Sequence, residues 1–328
     1  MGNLASNCKA CDSTKEEEDE EIKTDIKDID EPDPILRNKL VQSKIIFEKI
    51  LEKKGKFLKS HKINDILNSI NPAVTRISLP EDIINTKKPN TFEEPIIEFN
   101  NGEIYKGYWN TNNQRDGFGV NINPDGEIYI GLWDCDQIGD YGAFFDNEGN
   151  YYKGKLVNGK GNGEGELVLF NKVKYIGVFI DDIPNGNGKM INLLDGSEYE
   201  GDIVQGKKEG RGILKFKDGT IYEGEFKDDN FNGNGVLKYY NGRKYEGNFK
   251  DGKMDGNGKF TWEDGKIYIG DYVNDKKHGK GKFIWNSEKY YEGNWKDNNQ
   301  HGEGMYYLNG KTLKGQFRFG KIITKTEE

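Results

Sequence analysis

The residues best placed for chemistry stand at the start of the chain. Met1-Gly2-Asn3-Leu4-Ala5-Ser6 sets a glycine behind the first methionine and a serine at the sixth position, the pattern read by N-myristoylation once Met1 is removed. Cys8 and Cys11, two of the three cysteines, follow within a few residues. A single myristoyl chain binds a bilayer only marginally, so stable anchoring takes a second signal. A polybasic signal does not fit, because Lys9 and Lys15 run directly into the six consecutive acids of 16–21. Palmitoylation of Cys8, Cys11 or both remains, and the expected attachment is to the cytoplasmic leaflet of a membrane.

The rest of the chain offers no group of residues arranged for catalysis. It contains no Walker A loop, no His-Arg-Asp loop and no Asp-Phe-Gly. Three cysteines cannot build a disulfide framework, and no second Cys/His pair completes a zinc site; Cys135 reads as an unpaired thiol in a turn. We therefore expect no enzyme, no catalytic residue, no metal and no cofactor. No apolar run approaches the roughly 18 residues of a membrane span, and the first residues lack the apolar core of a secretory signal. A reducing, cytoplasmic compartment is the expectation. A net charge of −8 over 328 residues argues against nucleic acid, whose phosphates call for a basic face.

The elements that must carry any function are set by a repeat. A Tyr-x-Gly unit returns at Tyr105, Tyr129, Tyr152, Tyr175, Tyr199, Tyr222, Tyr245, Tyr268 and Tyr291, at intervals of 23 or 24 residues. Two residues after each Tyr stands a glycine, among them Gly107, Gly224, Gly247 and Gly293. Two further stands a bulky residue, among them Trp109, Trp133, Phe226, Phe249 and Trp295. Strand side chains alternate faces, so Tyr, Gly and the bulky residue share one side while the intervening Lys, Glu and Asp face water. From the third unit on, a Gly-x-Gly begins eleven residues after the Tyr and leads into an apolar residue on a second strand. Asn-Gly or Asp-Gly at Asn101, Asp125, Asp195, Asp218, Asn241, Asp264 and Asn309 then suits a type I′ turn into the next unit. Each repeat reads as one β-hairpin. With 43 glycines and 40 aromatics, rings laid on bare backbone replace a Leu- and Val-rich core.

The first unit carries one extra residue, and its spacing assigns the inward role to Phe118, Val120 and Ile122; the second has Asp140 for its first glycine. A last unit has Leu313, Gly315 and Phe317 but no Tyr. A lone hairpin is marginal, so hairpins must pair successively into a long antiparallel sheet, a rod on the order of 100 Å for ten units at about 4.8 Å per strand. His278 and His301 align in adjacent repeats, where other units hold Asp116, Asn162, Asn185, Glu209, Asn232 or Asp255; a polar turn position accounts for them better than a metal pair.

This pattern resembles the MORN repeat (membrane occupation and recognition nexus), over 101–319 in nine to ten copies. The resemblance implies an all-β fold: an elongated antiparallel sheet of stacked β-hairpin repeats. It also implies a non-enzymatic scaffold, since such arrays occur in junctional membrane scaffolds, cortical cytoskeleton proteins, radial-spoke heads of cilia and beside some phosphoinositide kinases. The alternatives for this chain are a soluble, radial-spoke-like ciliary component and a regulatory subunit of a phosphoinositide kinase acting in trans.

Ahead of the array, 1–34 reads as an acylated acidic tether, with a net −9 over 12–33 and too few apolar residues to fold. In 35–71 Leu36, Leu40, Phe47, Ile50 and Leu58, then Ile63, Ile66, Leu67 and Ile70, recur at helical spacing. Residues 34–62 carry a net +7, so the basic helix at 35–59 suits a membrane surface or a calmodulin-like partner; packing onto the first hairpins is the plainer alternative. Prolines punctuate an extended connector over 72–100, and 320–328 form a tail. Protein partners are expected along the array, at a cytoplasmic membrane face, a cell cortex or a cilium.

Overall fold

The computed structural model describes residues 79–326 apart from 94–96 and 147. The expected tether at 1–34, the helices at 35–71 and the acylation candidates Gly2, Cys8 and Cys11 lie outside the described residues. The described residues are all-β: a four-residue helical turn α1 (Glu81–Ile84) precedes twenty-two strands, and the pairings are antiparallel. Two compact units divide it, one holding 79–186 with 192–194 and the other 187–191 with 195–326.

In the first unit β1 (Thr91–Glu93) and β2 (Ile97–Glu98) pair with β3 (Ile104–Asn110). The expected extended connector thus includes a helical turn and two short strands. Next in order come β4 (Arg115–Ile122), β5 (Ile128–Asp134), β6 (Gln137–Phe145), β7 (Tyr151–Val157), β8 (Lys160–Leu169) and β9 (Val173–Ile180), each paired with the one before. β10 (Ile183–Asn192) spans the division between the units.

The second unit runs through five hairpins, β11/β12 (Glu198–Val204, Lys207–Lys215), β13/β14 (Ile221–Lys227, Asn230–Lys238), β15/β16 (Lys244–Lys250, Lys253–Thr261), β17/β18 (Ile267–Val273, Lys276–Asn286) and β19/β20 (Lys289–Lys296, Asn299–Leu308). A sixth, β21/β22 (Lys311–Arg318, Lys321–Thr326), ends it, so the stretch expected as a tail pairs with the sheet.

Two expectations about turns and faces are corrected. From the second repeat on, a two-residue type I′ turn lies inside the repeat rather than only between repeats: Asp228-Asp229, Asn274-Asp275 and Asp297-Asn298 have positive φ at both positions. Of the seven Asx-Gly pairs expected to turn into the next unit, only Asn309-Gly310 is such a turn, whereas Asn158-Gly159 and Asp251-Gly252 form it inside their repeats. At Asn101, Asp125, Asp195, Asp218, Asn241 and Asp264 the glycine alone has positive φ. There the loop is wider, as where the Phe216 and Gly219 amides bond to Thr220 O and Phe216 O. A three-residue loop with glycine in the left-handed region uses Asx-Gly as well as a type I′ turn does, so the dipeptide alone does not choose between them.

In the first repeat, Phe118, Val120 and Ile122 face away from the Tyr side. The extra residue is absorbed in the turn at 111–114, which leaves Gly107 paired with Gly119. These three side chains instead join a second core with Leu79, Ile84, Ile128 and Ile130.

Candidate functional site

Two ladders of paired glycines organise the sheet. Gly107, Gly119, Gly131, Gly142, Gly154, Gly165 and Gly177 pair in series in the first unit. In the second, Gly201 begins a series through Gly212, Gly224, Gly235, Gly247, Gly258, Gly270, Gly281, Gly293 and Gly304 to Gly315. A repeat tyrosine lies over the glycine pair of its own hairpin, as Tyr245 does over Gly247 and Gly258. A Cβ at Gly247 would stand 2.5 Å from Gly258 Cα and 2.6 Å from the Tyr245 hydroxyl.

The phenol then turns back onto its own strand. In all nine repeats its hydroxyl donates to the carbonyl three residues on, at 2.7 to 3.1 Å, from Tyr105 with Tyr108 O to Tyr291 with Asn294 O. Those carbonyls sit where the ladder shifts register, as between Gly247 and Phe249. The opposing bulge holds the first glycine of each Gly-x-Gly, Gly256 in that repeat, with φ +103°. The two glycines therefore serve different needs, the first a left-handed backbone and the second space for a ring.

Rings from successive repeats interlock. Tyr222 meets Phe226 of its own repeat and Phe249 of the next edge to face, at 5.1 and 5.2 Å. Tyr245 does the same with Phe249 and Tyr272, and Tyr268 with Tyr272 and Trp295. Tyr105, Tyr129, Tyr199, Tyr222, Tyr268 and Tyr291 are buried, as are Trp109, Trp133, Phe226, Phe249 and Trp295. Burial pushes the phenols of Tyr105, Tyr129, Tyr199, Tyr222, Tyr268 and Tyr291 well above the usual tyrosine range.

One core position escaped the sequence reading. Nine residues after the Tyr stand Phe231, Met254, Lys277 and Gln300, all buried, each paired across the turn with the bulky strand residue. Phe231 stacks on Tyr222 at 3.7 Å, while the Lys277 ammonium lies 5.0 to 5.7 Å from the rings of Trp262, Tyr268, Phe283 and Trp295. Their chemical variety hides the position; counting across the two-residue turn would have found it. The same turn ties neighbouring repeats together, because the side chains of Asp229, Asp275 and Asn298 accept the amides of Lys208, Met254 and Lys277.

His278 pairs with Asp271 across β17/β18, and the His301 ring lies against Phe319. Among the described residues no cluster of three or more His, Cys, Asp or Glu is placed to hold a metal. Cys135 is exposed, at the first position of a type I′ turn.

The face opposite the tyrosines carries the side chains that the core does not take up. In the second unit its rows run across the strands, one being Ile269, Lys282, Glu292, Met305 and Lys314, another including Lys280, Asn294, Glu303 and Gln316. Between them a groove of about 820 Å³ has Gly281, Gly293 and Gly304 as its floor. A second groove, of about 710 Å³, lies over Gly212, Gly224 and Gly235 with Ile213, Glu223, Val236 and Glu246 on one bank. Strand alternation puts the row that receives the rings on one face between two side-chain rows on the other, and this row is the floor of the furrow.

The model of the MORN repeat matches 105–127, 175–191, 199–221, 222–242, 245–267, 268–288 and 291–312. The chain is a MORN-repeat protein. Units beginning at Tyr129 and Tyr152 fall outside those matches, yet Gly131 and Gly142, then Gly154 and Gly165, keep their places in the MORN ladder. Among curated proteins none matches the chain. Two solved structures are similar to it in part. The TCP domain of SAS-4 (dCPAP) from Drosophila melanogaster, in complex with a proline-rich motif of Ana2 (dSTIL), is 11% identical with a TM-score of 0.27, over 71% of this chain and 94% of that one. A streptogramin B lyase is 12% identical with a TM-score of 0.13, over 72% and 86%.

Proposed function

We propose that this MORN-repeat chain is a non-enzymatic scaffold, held by acyl groups on Gly2 and on Cys8 or Cys11 at the cytoplasmic face of a membrane or at the cell cortex, and engaging protein partners through its repeats. The observation that carries the binding part is the outer face of the second unit. Its furrows are floored by glycine and banked by Lys, Glu, Asn and isolated Ile, Val and Met side chains, a mixture suited to a polypeptide segment carrying both charges. The anchoring part rests on the sequence of the first eleven residues.

Each part has its own test. Gly2→Ala abolishes myristate incorporation and moves the protein to the soluble fraction; Cys8→Ser with Cys11→Ser retains myristate but weakens attachment, because one chain binds only marginally. Membrane residence of Gly2→Ala equal to wild type refutes the anchor. Proximity labelling with Glu292→Lys and Met305→Asp, which alter one groove bank, loses partners that the wild type labels. An unchanged partner set refutes the groove.

A further inference from the structure

The outer face of the first unit is apolar in two places. The first is covered. Across β4, β5 and β6 one row runs Val120, Ile130, Ala143, and Leu79 and Ile84 close over it; Leu79 is only 3% exposed. The approaching chain is fixed there by Lys88, whose ammonium lies 2.7 Å from Asp116 and 2.6 Å from Asp134.

The second place is β9. The same row continues through Lys153 and Glu166 to Ile176. On β9 the residues one, three and five after the repeat tyrosine are Ile176, Val178 and Ile180, which are 41%, 36% and 54% exposed. At those positions β13 has Glu223, Glu225 and Lys227, and β19 has Glu292, Asn294 and Lys296. Apolar outer residues on β5 come with a cover; on β9 no described residue supplies one.

We propose that 63–70 of this chain is that cover, laying Ile63, Ile66, Leu67 and Ile70 on Ile176, Val178 and Ile180 and extending the interface that Leu79 and Ile84 begin. Three observations single out this occupant. Its apolar residues fall at i, i+3, i+4 and i+7, a stripe that needs an apolar surface. Its reach fits: the eight residues 71–78 span at most about 29 Å extended, and β5 and β9 stand four strand spacings apart, about 19 Å. Charge agrees as well, since the net +7 of 34–62 would enter beside Glu164, which pairs with Val178, and the Asp181-Asp182 turn that ends β9.

Hydrogen exchange on the full chain tests this. The amides of 63–70 are expected to exchange at least about tenfold more slowly than those of 12–33, as ordered segments do. Two sets of substitutions should each remove that protection while leaving the β-sheet circular dichroism unchanged: Ile176→Thr with Val178→Thr and Ile180→Thr, and Ile66→Ser with Leu67→Ser. Unprotected 63–70 in the wild type overturns the proposal. So does protection that survives the β9 substitutions. A wild-type dimer that those substitutions convert to monomer, with 63–70 unprotected throughout, would assign the patch to a second copy instead.

Discussion

Gly247 and its neighbour Glu246 separate the two faces of the sheet most sharply. Glycine at 247 faces the ring of Tyr245, and any Cβ there would meet Gly258 Cα at 2.5 Å, Asn257 O at 2.6 Å and the Tyr245 hydroxyl at 2.6 Å. Carbon contacts settle near 3.5–4.0 Å, so backbone and ring would each have to retreat by about 1 Å. Tyr245 has nowhere to go: it is fully buried, held edge-on by Phe249 at 5.0 Å and Tyr272 at 5.3 Å, and its hydroxyl is 2.9 Å from Asn248 O. Overpacking costs about 1–3 kcal/mol, and losing the phenol's hydrogen bond adds about 1 kcal/mol. Gly247→Val should therefore destabilise by about 2–4 kcal/mol. Glu246 faces water and is bridged to Lys244 at 2.8 Å between two well-exposed side chains. Such a bridge contributes about 0–1 kcal/mol, and valine's strand preference offsets part of it, so Glu246→Val should change stability by about half a kcal/mol or less. Urea melts of the full chain, monitored by circular dichroism, decide the matter. Equal losses, or a larger loss for Glu246→Val, would falsify the assignment of faces.

Three further outcomes follow from the same geometry. Gly265→Asn should be nearly neutral, because its φ of +83° suits asparagine and nothing lies within 4 Å of a Cβ there, whereas Gly247→Asn should unfold at markedly lower urea; similar melts for both would show that space is not what Gly247 provides. Asp275→Ala, which removes the acceptor 2.8 Å from the Met254 amide, should cost about 1–2 kcal/mol, read by thermal denaturation against Asp264→Ala on an exposed turn. Alkaline pH should unfold the sheet: phenols held above their ordinary pKa stabilise the fold fully below about pH 10, and that stability drains as pH rises past 10, where the unfolded chain ionises first. Tyrosinate absorbance should then rise together with the loss of the β-sheet signal; ionisation of these tyrosines in an intact sheet would contradict their burial.

Much of this fold was legible because one residue type served one purpose at a fixed interval. Tyr245, Gly247 and Phe249 share a face by simple alternation, and the period of 23 residues names the hairpin. Reading failed where identical residues answer to different constraints. Gly256 and Gly258 look alike in sequence, but one supplies a left-handed bulge and the other an empty Cβ position. Asp218-Gly219 and Asn309-Gly310 likewise share a motif and form different turns. The faces of Phe118, Val120 and Ile122 were misassigned because an inserted residue was counted into the strand rather than the loop. β22 has no glycine pattern to announce it; Ile322 approaches Gly315 there, where a tyrosine ring serves in the full repeats.

The division between faces also says where function can be written. On the tyrosine side nearly every position is committed, since ring, glycine pair and bulge depend on one another within and between repeats. Substitutions there change stability before they change specificity. On the opposite side a residue touches mainly its cross-strand neighbours, so β13 can carry Glu223 and Glu225 while β9 carries Ile176 and Val178 on the same backbone. Cross-strand pairs are worth only about 0.2–1 kcal/mol, little enough for such exchanges to leave the sheet intact. Apart from the buried position that holds Phe231, Met254, Lys277 or Gln300, the outer face is where one MORN repeat can differ from the next at little cost, and that is where the furrows of the second unit and the apolar strand of the first are found.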